Sequence, residues 1–302
     1  MRIPKFDNMK CLGIFLIVLG HMFEAVNCGR IGEYLHMIIY SFHIPLFIFI
    51  MGYFAKAKRY AWLKIFILYI VIQTIYLVAF NMKHLMTGEW IRKDYTTPFW
   101  LAWFLMLMLI YKLITPLVIK KPLKQKFMLL CCVVILALFS SKIPCIGYRF
   151  SLNRVITFLP YFVLGTIWRE MNFKITKKYL LLVLVAICSV FISVQNFIDI
   201  NVLYGIIGSP SQRLINYIIA FIWIIFLMAW IPNTEISRTI SDVGRNTLPI
   251  FLFHGLVIKT VFTFWEPTYG AFNIVICITF SVVLCLLFAH DKLTKVLSLQ
   301  LI

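Results

Sequence analysis

The sequence is poor in acid: 11 Asp and Glu stand against 29 Lys and Arg in 302 residues, and charged residues of both signs make up only 13% of the chain. It has no polar stretch long enough to build a separate soluble domain. Among its eight cysteines there is no CxxC pair and no Cys/His spacing of a zinc site. They lie mostly in apolar runs and read as small core residues, so no metal is expected. Cys28 and Cys145 fall near the expected outer face, and a disulfide between them is not expected. There is no Ser-His-Asp ordering, no GxSxG and no glycine-rich phosphate loop, which leaves out the common hydrolase and nucleotide-cradle motifs.

Apolar sequence is abundant instead. The chain is 62% hydrophobic, in repeated runs of about 20 residues, the length that crosses a bilayer core. This predicts an all-α polytopic integral membrane protein, a single bundle of about ten transmembrane helices, with residues 1–302 forming one transmembrane domain. The expected spans are about 9–27, 34–55, 60–80, 99–119, 127–144, 154–170, 178–197, 213–231, 246–265 and 271–290.

A net charge of +18 in a soluble protein would suggest nucleic acid. Here the charges sit in short loops and report orientation, and no nucleic-acid partner is expected. With these spans, 18 of the Lys and Arg lie on the side shared with the N-terminus and 8 on the other, while Lys64, Lys112 and Lys259 fall inside spans. By the positive-inside rule both termini are cytoplasmic. The start MRIPK followed by CLGIFLIVLG is like a secretory signal, but Glu24 and the lack of a small-residue cleavage site keep it as the first span.

Unusual chemistry is concentrated between Asp7 and Tyr53. Lys10 and His21 are eleven residues apart, so they share nearly one helix face, roughly 16 Å apart along the axis. Asp7 falls close to the same stripe. An ionisable residue inside a membrane is a functional candidate by default; the bland account of His21 is a buried ring bonded to a backbone carbonyl. Glu24, one turn on, either reaches His21 or sits at the outer interface. In the second span His43 precedes Pro45, which removes a backbone donor and bends the helix, as at a cavity wall or a plain packing kink.

The pattern Asp7, Lys10, Gly20-His21, then Phe42-His43-Ile44-Pro45-Leu46-Phe47 and Gly52-Tyr53 resembles the opening of the membrane-bound acyltransferase 3 family, in particular its short members that O-acetylate sugars without an appended soluble domain. That family's first helix carries a basic residue, ten intervening residues and a histidine, as Lys10 and His21 do. Further on, Trp103-Phe104-Leu105, then Arg154 with Leu159-Pro160-Tyr161-Phe162 and Gly165, and Gly244-Arg245-Asn246-Thr247-Leu248 with His254 downstream, are similar to family segments. One departure stands out: where the family has arginines three apart ahead of Pro-Tyr, this chain has Ala61, Lys64 and Leu68-Tyr69.

The resemblance implies an O-acyltransferase of the cell membrane with no permanently bound cofactor. Its donor would be acyl-CoA, most often acetyl-CoA, and its acceptor a cell-envelope glycan or lipid-linked sugar; membrane lipids surround it. A sugar hydroxyl needs a base to take its proton, and a neutral histidine can do so. His21 is the expected base or acyl relay, with His43 as second base or orienter and Glu24 beside them. Lys10, Arg59 and Lys64 are the expected contacts to the CoA phosphates, although a basic inner loop is also a plain topology signal. Arg154 and Trp103 are the expected acceptor contacts, or else an interfacial arginine and an interfacial anchor. His254 reads as structural rather than catalytic. The rival reading is a transporter or flippase of lipid-linked sugar, which also wants intramembrane His, Lys and Arg and broken helices.

Overall fold

The apolar runs fold as helices. A computed structural model describes residues 2–84, 94–143, 146–171, 175, 178–195, 200–264 and 272–297, and among these every regular element is helical. In order they are α1 (Pro4–Ala25), α2 (Gly29–Tyr53), α3 (Ala61–His84), α4 (Ala102–Ile119), α5 (Leu123–Phe139), α6 (Leu152–Met171), α7 (Lys178–Gln195), the short α8 (Ile200–Leu203), α9 (Pro210–Trp230), α10 (Arg238–Arg245), α11 (Thr247–Phe264), α12 (Asn273–Phe288) and α13 (Asp291–Leu297). Single 3₁₀ turns occupy Ser140–Lys142 and Arg149–Ser151.

Seven helical stretches are long and apolar enough to cross a membrane, and an eighth is added if α12 and α13, bent by 72° at their break, count as one span. The expected spans at 178–197 and 246–265 fall on α7 and α11, whose described apolar parts, Tyr179–Ser189 and Thr247–Phe262, are shorter. Among the described residues, length and apolarity therefore support seven or eight crossings and do not establish the expected count of about ten. The outer surface fits a lipid solvent. α3 leaves Phe66, Ile67, Val71, Ile75 and Val78 exposed, and α12 does the same with Val275, Ile278, Val282 and Leu286. Polar groups such as Gln73, Asn153 and Asn216 are buried instead. A multi-pass membrane protein has this distribution, because hydrocarbon offers nothing to a polar side chain.

Pro4 stands in the first turn of α1, where a missing N–H costs nothing, so this helix starts earlier than residue 9. Phe6 packs on Tyr53 and Phe54, with ring centroids 4.4 and 4.8 Å away. The start of α1 and the end of α2 therefore share one end of the bundle. α2 and α6 cross closely. A Cβ on Gly52 would meet the Phe162 carbonyl oxygen at 2.1 Å, and one on Gly165 would meet the Phe49 oxygen at 2.1 Å. Backbone touches backbone there, as small residues permit between membrane helices.

Two charges inside the bundle have partners close by. Lys126, almost fully buried on α5, pairs with Glu170 of α6. Arg213, buried at the start of α9, donates to the Ala137 and Ile207 carbonyls and to Ser140 Oγ. Gly244 of α10 lies against the Asp7 carbonyl. Asn246 fills the break before α11, its amide donating to Asp242 O at 3.0 Å and to Asp291 Oδ1 at 2.8 Å. Pro249 falls in the first turn of α11, where it needs no kink to accommodate it. Cys28 is buried with its thiol 3.5 Å from that of Cys277; Cys145 lies outside the described residues.

Candidate active site

His21 and Glu24 are one turn apart at the end of α1, a spacing that puts them on the same face. The His21 Nδ1 is 2.8 Å from Glu24 Oε2. A carboxylate only accepts, so Nδ1 carries a proton, and in the neutral ring the lone pair is then on Nε2. Tyr40 of α2 donates its hydroxyl to Glu24 Oε1 at 2.5 Å and stands 3.2 Å from His21 Nδ1. His36, one turn before Tyr40, brings its Nε2 to 3.6 Å from Glu24 Oε1. Glu24 thus gathers two histidines and a tyrosine, and it is the acid that fixes how the His21 ring is turned.

His43 is 1% exposed and donates Nδ1–H to the Ile39 carbonyl at 2.7 Å, which leaves its Nε2 as acceptor. His254 of α11 has the same arrangement, donating to Ile250 O at 2.8 Å, and its buried Nε2 has no hydrogen-bond partner. The His254 ring centroid is 5.2 Å from that of His21. Although four histidines and a glutamate meet here, among the described residues no three metal-ligating groups are placed to hold one ion.

His21, Glu24, Tyr40 and His43 form part of the wall of a cavity of about 400 Å³ at the end of the bundle opposite Phe6. α1 contributes Ile17, His21 and Glu24, and α2 contributes Tyr40, His43 and Ile44. Facing them are Trp100 and Trp103, Tyr148, Arg154, Tyr204 and Lys259. A cavity of this size with a few convergent polar groups among aromatic rings is the usual form of a small-molecule site.

The aromatic wall is held by buried polar backing. Gln73 of α3 donates to the Asp94 and Thr97 carbonyls and accepts from Phe99 N at 2.8 Å. Asp94 Oδ1 accepts from the Thr96 hydroxyl and from the Thr96 and Thr97 amides, and these donors hold its carboxyl below the usual range. This turn presents Trp100, whose φ is 47°. Phe150 and Ser151, in the turn that leads to Arg154, also have positive φ, and Phe150 N donates to Thr96 O. Three non-glycine residues in the left-handed region cost about 1 kcal/mol or more each. Such strain persists only where the surroundings demand one shape.

The residues expected from the sequence divide between the two ends. His21, His43, Glu24, Arg154 and Trp103 all line the cavity. Trp103 is 6% exposed and faces Arg154, so it does not serve as a lipid-facing anchor. Lys10 lies toward the opposite end, half-buried, with its ammonium 2.9 Å from Asp7 Oδ1, and Arg2 bonds the other Asp7 oxygen at 2.6 Å. Arg59 is exposed before α3, 5.3 Å over the Tyr60 ring, and Lys64 is half-buried in the first turn of α3. Among the described residues, none of these three bases lines the cavity.

Tyr40 and His36 escaped the sequence reading although a signal existed: 36, 40 and 43 are spaced as one face of a helix. Tyr148 and Tyr204 gave no such signal, since both lie in short irregular segments, whereas Lys259 reads only as a lysine inside an expected span. His254 read as structural, and its nearness to His21 depends on how α11 packs against α1.

No curated protein and no solved structure matches this chain. The model of the acyltransferase 3 family, described as an acyltransferase domain, matches residues 3–290, nearly the whole chain and every element that builds the cavity. The segments that resembled the family therefore belong to one continuous match, and the chain is a member of the acyltransferase 3 family, a membrane-embedded O-acyltransferase.

Proposed function

We propose that this acyltransferase moves an acyl group, acetyl in the first instance, from cytoplasmic acyl-CoA to a hydroxyl of a cell-envelope glycan or lipid-linked sugar, with His21 as the general base. The observation that carries the reading is the Glu24–His21 pair, which leaves a lone pair on His21 Nε2 inside a cavity lined by aromatic rings. Nε2 takes the proton of the acceptor hydroxyl as its oxygen attacks the thioester carbonyl. The C–O bond forms, the C–S bond breaks, and the proton on His21 passes to the departing CoA sulfur. Glu24 stabilises the imidazolium that exists between these steps. His43, with Nε2 as acceptor on the same cavity, is proposed as a second proton acceptor.

The donor is proposed to enter from the end that holds Lys10, Arg59 and Lys64, with its phosphates at these bases. Eleven residues of α1 separate Lys10 from His21, roughly 16 Å of helix, a distance suited to an extended pantetheine arm. The side chain of Lys10 is already bonded to Asp7, so phosphate would compete with that carboxylate. In this reading both termini and the basic loops face the cytoplasm of a plasma-membrane protein, the chain works as one domain, and the cavity opens outward to the acceptor. Arg154 and Trp103 are its proposed contacts with the sugar. The carrier alternative draws no support from the family.

The test is transfer of radiolabelled acetyl from acetyl-CoA to endogenous glycan in membranes containing the protein. His21→Ala, correctly inserted, is expected to lower transfer by at least 10²-fold, the usual weight of a positioned base. Full transfer by that variant would remove His21 from the mechanism.

A further inference from the structure

Several cations of this bundle have an oxygen partner inside it. Lys10 has Asp7, Lys126 has Glu170, and Arg213 has three oxygens. Arg154 differs. Its guanidinium carbon lies 4.7 Å from the Trp103 ring centroid, 4.9 Å from Tyr148 and 5.0 Å from Tyr204. Its one hydrogen bond is a long one, Nη1 to the Tyr148 hydroxyl at 3.4 Å. The Nε is buried with no partner, as is that of Arg213, but among the described residues Arg154 has no carboxylate and no carbonyl oxygen bonded to it. The carboxylate on the cavity wall, Glu24, is already taken by His21 and Tyr40. Three ring faces hold the guanidinium by its π surface, which leaves its planar edge of N–H donors for something else. A guanidinium edge fits a carboxylate or phosphate oxygen pair, and a cation in a low-dielectric wall demands such a partner.

We propose that the acceptor carries an acidic group which Arg154 binds, so that the enzyme selects anionic glycans over neutral ones. This rests on the acyl-transfer reading of the same cavity. The arrangement also sets where the acid lies relative to the reacting hydroxyl. Tyr204 meets Tyr40 edge-on at 6.4 Å, and the Tyr40 hydroxyl is 3.2 Å from His21 Nδ1. Two aromatic residues thus separate the cation from the base. A sugar lying between them offers its hydroxyl to His21 and its acidic substituent to Arg154, with its apolar face on the rings. The same oxyanion chemistry occurs in a uronic-acid carboxylate, in a lipid-linked sugar diphosphate and in a lipid headgroup. The ring-lined wall favours an anion borne on a sugar.

The experiment uses the full-length protein in nanodiscs of zwitterionic lipid, with binding followed by calorimetry and acetyl transfer followed in parallel. Four probes are compared: a glucuronate-bearing oligosaccharide, its carboxyl-reduced counterpart, a polyprenyl diphosphate-linked sugar, and phosphatidylglycerol. One or both acidic sugar probes are expected to bind at least tenfold tighter than the carboxyl-reduced sugar, and whichever does names the source of the anion. Arg154→Gln should erase that preference, so that acidic and neutral sugars bind alike, and Arg154→Lys should keep part of it, having charge without the fork. Equal binding of acidic and neutral sugars by the wild type needs no variant and overturns the proposal, as does a preference that survives Arg154→Gln. An Arg154-dependent response to phosphatidylglycerol alone also overturns it, by assigning the arginine to headgroups. Acid-selective binding without any acetyl transfer would sink the acyl-transfer reading while leaving the anion site. Transfer to acidic and neutral sugars alike would do the reverse.

Discussion

Glu24 is the group on which the geometry of the base depends, and replacing it in steps separates orientation from charge. In Glu24→Gln the amide oxygen can still accept from His21 Nδ1, and its NH₂ can donate to the Tyr40 oxygen, so the ring stays turned as before. Only the negative charge is lost. Two unit charges 4 Å apart at an effective dielectric near 20 attract by about 4 kcal/mol. The Glu24 side chain is 41% exposed to the cavity, which weakens that by about half. The imidazolium then loses about 2 kcal/mol of stabilisation, a fall in kcat of roughly 30-fold. Glu24→Ala also removes the acceptor that selects the tautomer and leaves the Tyr40 hydroxyl unpaired, so a fall of about 10³-fold is expected. Initial rates of radiolabelled acetyl transfer in proteoliposomes, over a range of acetyl-CoA concentrations, measure both. The KM for acetyl-CoA should stay within about twofold, because the proposed phosphate contacts lie at the far end of α1. Equal rates for wild type and Glu24→Ala would refute the dyad. So would equal losses for Gln and Ala in well-folded protein, because charge and orientation would then not be separable.

Other consequences concern packing. Gly165→Ala drives a methyl group into the Phe49 carbonyl and the Tyr53 amide of α2, so it should destabilise by about 3 kcal/mol, at the upper end for overpacking. Gly147→Ala, which meets nothing within 4 Å, should melt like the wild type in the same detergent. Glu170→Gln strands the buried Lys126 ammonium and should destabilise by about 2 kcal/mol, less than for a fully enclosed pair because Glu170 is partly exposed. Adding Lys126→Met should recover most of that loss, and a double-mutant cycle of thermal melts tests it.

Several parts of this protein were legible in its sequence because they are properties of single helices. Apolar runs of crossing length need no partner to be recognised, and the spacing of Lys10, His21 and Glu24 puts them on related faces of α1 whatever surrounds it. The Gly52-Tyr53 and Gly165 motif positions could be noted one by one, but that the two glycines face each other across one crossing is a fact of packing. The number of crossings was less legible. α12 is followed by a 72° bend into α13, and composition alone does not tell such a broken helix from a straight span.

The sequence by itself determined that this is a membrane protein of the acyltransferase 3 family with an acid, a base and a histidine along its first helix. Tertiary structure decided the rest of the site. It turned His21 by way of Glu24, brought His254 from the far end of the chain to within 5.2 Å of it, and closed Trp103, Tyr148 and Tyr204 around Arg154. The physical reason is range. A helix fixes which residues share a face through bonds within four positions, whereas a cavity is set by where separate helices cross, and here those crossings depend on glycine contacts and buried polar anchors between residues far apart in the chain.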